Sequence, residues 1–189
     1  DCDEEIAKYK NMSIPQIFEK EGEDGFRKAE HEVIKEVSKK TREEIASETE
    51  ELFQKYGRRP GLAVIIVGED PASKVYVANK EKACEYIGIR SEKFALPEET
   101  TQEELLALIA ELNGRSDING ILCQLPLPKH INEETILNSI AVEKDVDAFH
   151  PSNVANLWLK KPCTQPCTPK GIIKLLKETG MEIAGKEAV

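Results

Sequence analysis

Apolar positions along the chain fall into short unbroken runs separated by stretches with helical spacing. Leu62 to Val67 is apolar and largely β-branched without alternation, the pattern of a strand covered on both faces of a parallel sheet. Gly68 lets the chain turn, Asp70 suits an N-cap and Pro71 a first helical position, which predicts a helix from Pro71 to Ile87 stopped by Gly88. Glu92 to Leu96 reads as a second strand, Thr101 to Leu112 as an amphipathic helix closed by Asn113-Gly114, and Ile118 to Cys123 as a third buried strand. Further helices are predicted over Glu133 to Ile140, Pro151 to Leu159 and Thr168 to Thr179, with Glu187 to Val189 opening another strand. Alternating strands and helices predict an α/β fold, a three-layer αβα sandwich with a mostly parallel sheet.

Residues 1–40 have another character: acidic helices and no buried strand. Ser13 and Gln16 stand at capping-box spacing, Pro15 falls in the first turn, and Gly22 to Gly25 breaks the helix. The helix that follows is long. Phe26, Ala29, Val33, Val37, Ile45, Leu52 and Phe53 keep helical spacing almost to Gly57, while Ser38 to Arg42 is wholly polar. A helix of that length with a polar middle predicts a join or an extended arm, so the expected organisation is a helical segment over 1–40, an α/β domain over 41–186, and the start of a further domain at 187–189.

A chain of 189 residues can hold one domain with a substantial core plus an appendage. Its net charge of −9, without a basic patch, argues against a nucleic-acid or anionic-membrane partner. No apolar run approaches the roughly 20 residues of a membrane span and no signal peptide precedes the first motif, so a cytoplasmic protein is expected. The chain begins without methionine and stops inside an apolar run, as a piece of something longer would. Five scattered cysteines fit a reducing compartment. Cys163 and Cys167 form a C-x-x-x-C with no second Cys/His pair at metal-ligand spacing; they read as ordinary thiols, and no metal site is expected.

Tyr76 and Lys80 lie four apart, on one face of the helix that follows the first strand. Gln124 follows the third strand directly, so all three converge at the carboxyl edge of the sheet, where open α/β folds bind ligands. Ser73, Tyr76, Val77 and Lys80 (S-x-x-Y-V-x-x-K), the Q-L-P-L-P of Gln124 to Pro128, the K-D-V-D of Lys144 to Asp147 followed by F-H-P, and the P-C-T-P-x-G-I of Pro166 to Ile172 come in an order that resembles the bifunctional methylenetetrahydrofolate dehydrogenase/methenyltetrahydrofolate cyclohydrolases, over about Thr41 to Val189. That resemblance implies Lys80 as catalytic acid/base, with Tyr76 and Gln124 orienting it and the reacting atoms. It implies Asp147 as the carboxylate that accepts the paired N–H donors of a pterin ring, with Asp145 the weaker candidate. Leu125 and Pro126 would form a stiff apolar wall for the flat ring. It further implies NADP as cofactor, bound by a domain opening near Glu187 and by no residue of this chain, a folate substrate, and a homodimer in the complete protein. Ala148 and Ala155 stand where glycine is usual in such proteins, and both narrow the backbone freedom of the region around Asp147. His150 reads equally as a helix cap or a neighbour of the folate site, whereas His31 and His130 read as solvated.

A second resemblance concerns the front of the chain. D-C-D at Asp1 to Asp3 and the run Met12 to Glu30 resemble the shikimate-binding segment of shikimate kinases, which would give Asp3 and Arg27 a role in gripping shikimate. A kinase needs a phosphate cradle, and Gly180 to Glu187 (G-x-x-x-x-G-K-E) lacks the Ser/Thr that would ligate magnesium and follows a helix; it reads as a turn. The rivals to a folate enzyme are thus a shikimate kinase fragment and a non-catalytic hybrid fragment.

Overall fold

β1 (Gly61–Val67) lies in the middle of a three-stranded parallel sheet, between β2 (Arg90–Leu96) and β3 (Gly120–Cys123), in the order β2-β1-β3. The computed structural model describes residues 2–178 and 182–185, with side chains described from Ile6 onward. The register runs from Gly61 opposite Arg90 to Val67 opposite Leu96, and from Leu62 opposite Gly120 to Ile65 opposite Cys123. Between β1 and β2 runs α3 (Pro71–Ile87), between β2 and β3 runs α4 (Gln102–Gly114), and α5 (Glu133–Ser139) follows β3.

The unalternating pattern of β1 has a direct physical reading. Ala63, Ile65 and Val67 enter one apolar cluster with Leu105, Ile109 and Leu112 of α4 and Ile136 of α5, while Val64 and Ile66 enter another with Val77 of α3 and Leu122. Both faces of the strand are covered, which makes the three layers. Ala63 to Val67 are each at most 5% exposed. Each large member of that row contributes roughly 1.5–3 kcal/mol through burial.

The predicted stops and starts are chemical. Asp70 Oδ2 accepts from the Ser73 N–H at 2.7 Å and Pro71 opens α3; Gly88, at φ 76°, ends it in the left-handed conformation that a side chain resists. Thr101 and Glu104 close a capping box on α4. The other end of α4 is capped from a distance: Lys144 Nζ donates to the carbonyls of Leu112 (3.0 Å), Asn113 (2.7 Å) and Arg115 (2.7 Å). Lys144 also brings its own segment alongside β3, because the Ile121 N–H donates to its carbonyl at 2.7 Å and Ile121 bridges to Asp145. Gly120 makes that approach possible, since a Cβ there would meet Val146 Cγ1 at 2.5 Å.

The chain divides into two compact units, one of residues up to Ile45 together with those from Thr168 on, the other Ala46–Cys167. The first holds α1 (Cys2–Lys10) and most of α2 (Ile14–Tyr56), around Ile6, Ile17, Phe26, Ala29 and Val33. α2 departs from helical geometry at Gly22 (φ 67°, ψ −169°) but runs unbroken through Ser38 to Arg42. That polar stretch is made of good helix formers and is laced by pairs such as Lys39 with Glu43. The boundary therefore lies at Ile45/Ala46 and not at Lys40/Thr41. α7 (Cys167–Glu178) also departs from the expected organisation: from Thr168 on it groups with the first unit, where Glu178 pairs with Lys40 and Lys174 with Glu44, each at 2.9 Å. α6 (Pro151–Trp158) is a short helix of the second unit. The turn read at Gly180 to Glu187 and the strand read at Glu187 to Val189 rest on residues outside the described set, as does the side chain of Asp3. Among the described residues no helix is long and apolar enough to cross a membrane.

Candidate active site

Gln124 extends the β3 register by one residue, its N–H donating to the Ile65 carbonyl at 2.8 Å. Its side chain is fixed at both ends. Oε1 accepts from Lys80 Nζ at 3.2 Å, and Nε2 donates to the Leu125 carbonyl at 2.8 Å. Flipping the amide would set NH2 against the ammonium and oxygen against oxygen, so one orientation holds and the lysine is aimed. The buried Ser73 hydroxyl donates to the same Leu125 carbonyl at 3.4 Å, which anchors the start of α3 to the end of β3. Tyr76 sits one turn before Lys80 and is 64% exposed; among the described residues it hydrogen-bonds neither Lys80 nor Gln124.

Asp147 is the second charged group of the site. Burial pushes its carboxyl above the ordinary value, the Lys80 ammonium opposes that rise, and the negative charge of Asp145 adds to it. Lys80 thus donates to Gln124, and its charge acts on Asp147. The apolar wall is only half present. Pro126 is exposed, but the Leu125 side chain packs against the core cluster beneath α4, and its carbonyl is what meets the site residues. The Leu125–Pro126 peptide is cis.

The loop that carries Asp147 is held by Asp145 and His150, in a supporting role, and by Asn153, which the sequence did not single out. Asp145 is 4% exposed and Asn153 2% exposed. Asp145 Oδ2 accepts from the His150 N–H at 2.8 Å and from Asn153 Nδ2 at 3.0 Å, and Asn153 Nδ2 also donates to the Val142 carbonyl at 3.0 Å. His150 proves to be the cap: its Nδ1 accepts from the Ser152 N–H at 3.1 Å at the start of α6. Asp145 is a buried structural acceptor, which explains why two carboxylates two residues apart differ in their surroundings. Ala148, buried, adopts φ 59°, the conformation for which glycine is suited. Cys167 Sγ donates to the Val146 carbonyl at 2.9 Å. His-Pro at positions 150–151 was a readable N-cap signal, but nothing local marks Lys144 or Asn153, whose partners are distant or buried.

Other candidates fall away from the site. His130, read as solvated, donates from Nε2 to the Thr100 carbonyl at 2.9 Å. Burial pushes the Cys123 thiol up to about 12 and raises that of Cys84, so both behave as small apolar groups. Arg27 is engaged by its own helix, donating to Glu30 at 3.0 Å and lying near Glu23, and its guanidinium is raised by that partner.

The comparisons with known proteins place the chain in a family. A model of the tetrahydrofolate dehydrogenase/cyclohydrolase catalytic domain matches residues 34–147. The bifunctional protein FolD of Geotalea daltonii is 57% identical over 155 residues, which are 82% of this chain and 55% of that protein, and its counterpart in Acetivibrio thermocellus is 56% identical over the same length. Among solved structures, the bifunctional methylenetetrahydrofolate dehydrogenase/cyclohydrolase of Campylobacter jejuni superposes with a TM-score of 0.77 at 47% identity, covering 81% of this chain and 54% of that one. The Trypanosoma brucei enzyme, solved with NADP and an inhibitor, gives 0.74 at 38% identity, covering 79% and 52%. The chain spans about half the length of the curated relatives it matches. These comparisons lend no support to the shikimate-kinase resemblance of residues 1–40. With this identity, and with the parallel sheet described above, the chain belongs to the tetrahydrofolate dehydrogenase/cyclohydrolase family and carries its catalytic domain.

Proposed function

We propose that this chain supplies the folate-binding and proton-transfer site of an enzyme that oxidises 5,10-methylenetetrahydrofolate to the methenyl form and hydrolyses that to 10-formyltetrahydrofolate, acting as a cytoplasmic homodimer. The observation that carries the reading is Lys80, held at 3.2 Å by Gln124, with its charge acting on the half-buried Asp147. Asp147 accepts the adjacent N–H and amine donors of the pterin, a bidentate arrangement for which a carboxylate is shaped. In the hydrolytic step water adds to the methenyl carbon and loses one proton to solvent, the bond from that carbon to N5 breaks as the formyl carbonyl forms, and the proton left on the added oxygen passes to N5. Lys80 relays that proton, Gln124 keeps its ammonium aimed, and Tyr76 orders the water from the exposed side of the same helix face.

NADP is the oxidant in this proposal, by similarity to the Trypanosoma brucei relative, and it supplies hydride acceptance when bound. The described residues do not fit its pyrophosphate. The N-termini of α3, α4 and α5 are already filled by Asp70, by Thr101 with Glu104, and by Asn132 followed by two glutamates. No hydride step is assigned to these residues.

The test is calorimetric titration with 5-formyltetrahydrofolate, beside hydrolysis of the methenyl form. Lys80→Met is expected to abolish hydrolysis while leaving affinity within a few-fold, and Asp147→Ala to weaken binding by about 2 kcal/mol through loss of a charged partner. Equal affinities for the two variants, or no binding by the unaltered chain, would overturn the reading.

A further inference from the structure

Asp145 and Asn153 are the two most buried polar side chains of the segment that carries Asp147, and neither is placed to touch a ligand. Their hydrogen bonds join points far apart along the loop: Val142 before it, His150 at its close, and Asn153 within α6. The segment is also fixed outside this pair. Lys144 is spent on three α4 carbonyls, and the Lys144 carbonyl is taken by the Ile121 N–H. Between these anchors lies the short stretch Val146 to Phe149, with Ala148 in a left-handed conformation and Asp147 within it.

Accepting the folate-site reading above, on which this rests, we infer that Asp145 and Asn153 are positioning residues for Asp147: their buried bonds close the Asp145–Asn153 loop and hold the ligand-binding carboxylate at the reach of Lys80. The bonds act as a clasp whose one jaw is the fully formed α6 and whose other is the edge of β3. Opening the clasp leaves Asp147 chemically intact on a loop of several accessible conformations, and ordering that loop again must then be drawn from the binding free energy.

The pair has a second, electrical influence. Two charged groups face Asp147, Lys80 from α3 and Asp145 from its own loop, and they act in opposite directions. Removing the Asp145 charge without its shape makes Asp147 easier to ionise, a consequence that a purely mechanical support would not have.

The experiment uses the full chain and 5-formyltetrahydrofolate as probe, with affinity measured by calorimetry between pH 5 and pH 8 and folding checked by circular dichroism. Asn153→Ala, which removes both donors but keeps the loop sequence, is expected to weaken binding about tenfold, and Asn153→Ser to recover part of that loss through its hydroxyl. Asp145→Asn retains an acceptor for the His150 N–H and removes the charge. Its expected signature is that the weakening of binding on acidification moves to lower pH than in the unaltered chain. If Asp147→Ala loses affinity while folded Asn153→Ala and Asp145→Asn match the unaltered protein in affinity and pH profile, the positioning role is overturned and the folate-site reading stands. If Asp147→Ala also binds normally, both fall together. Should Asn153→Ala fail to fold, the Asp145→Asn profile decides alone, because a shape-preserving substitution that left the pH dependence unmoved would overturn the inference.

Discussion

Asp147 is a carboxylate held where folding alone would prefer a neutral group. Burial raises its carboxyl above its ordinary value near 3.8, so through the window above that value the folded chain holds the proton more firmly than the unfolded chain does. Stability therefore declines as pH rises through that window, and Lys80 offsets the decline only in part. Asp147→Asn is accordingly expected to raise the thermal midpoint at pH 7, with the gain shrinking as pH falls toward the ordinary carboxyl range, while folate binding is lost. A thermal midpoint unchanged or lowered at pH 7 would contradict this exchange of stability for function. The neighbouring Ala148 carries a different strain. Its left-handed backbone costs roughly 1–2 kcal/mol, against about 0.5–1 kcal/mol for the extra chain entropy of glycine, so Ala148→Gly is expected to stabilise the fold by a few tenths to about 1 kcal/mol in a denaturant titration. At this scale a motif marked residues that the fold does bring together, as with Lys80 and Gln124. The sequence was silent on Asn153 and on the supporting role of Asp145, because burial is a property of what surrounds a side chain and not of its neighbours in the chain.

The elements were legible almost to their ends. Asp70, Pro71 and Gly88 delimit α3 as predicted, since caps are local chemistry, and the apolar run of β1 announced a strand with two covered faces. Leu125 shows the limit of that reasoning: an apolar residue beside a site can serve the site or the core, and packing decided for the core. The far end of α4 shows it more sharply. Beyond the Arg115 N–H on the Leu112 carbonyl, that end is closed by a lysine some thirty positions later, so α4 and the Lys144–Asp147 segment stabilise one another. Lys144→Met would remove three hydrogen bonds to α4 carbonyls, with the Leu112 carbonyl keeping the Arg115 N–H, and is expected to lower stability by about 2 kcal/mol, read as a reduced urea midpoint at unchanged slope. The same variant should weaken folate binding although the residue lies away from the pterin.

Considered as a whole, the molecule has separate apolar cores. One group, around Ile17 and Phe26, belongs to the unit that begins the chain, while the clusters on the two faces of the sheet draw only on residues of the other. The smaller core of five buried apolar residues removes less surface from water, so amides of α1 and of α2 before Ile45 are expected to exchange with deuterium faster than those of β1 and β3. Equal protection across both units would show that they open together. Composition had hinted at this division but misplaced it, because the polar residues at Ser38 to Arg42 look like a break and yet are good helix formers. One small absence in the sheet reaches furthest. Gly120 leaves room for Val146 to lie against β3, so the distance between the strand and the carboxylate segment is gauged by a missing methyl group. The spacing of this site is in that sense a subtraction: adding a single carbon at Gly120 would act as a shim, driving Val146 outward and carrying Asp147 away from Lys80 with every charged and catalytic group left in place.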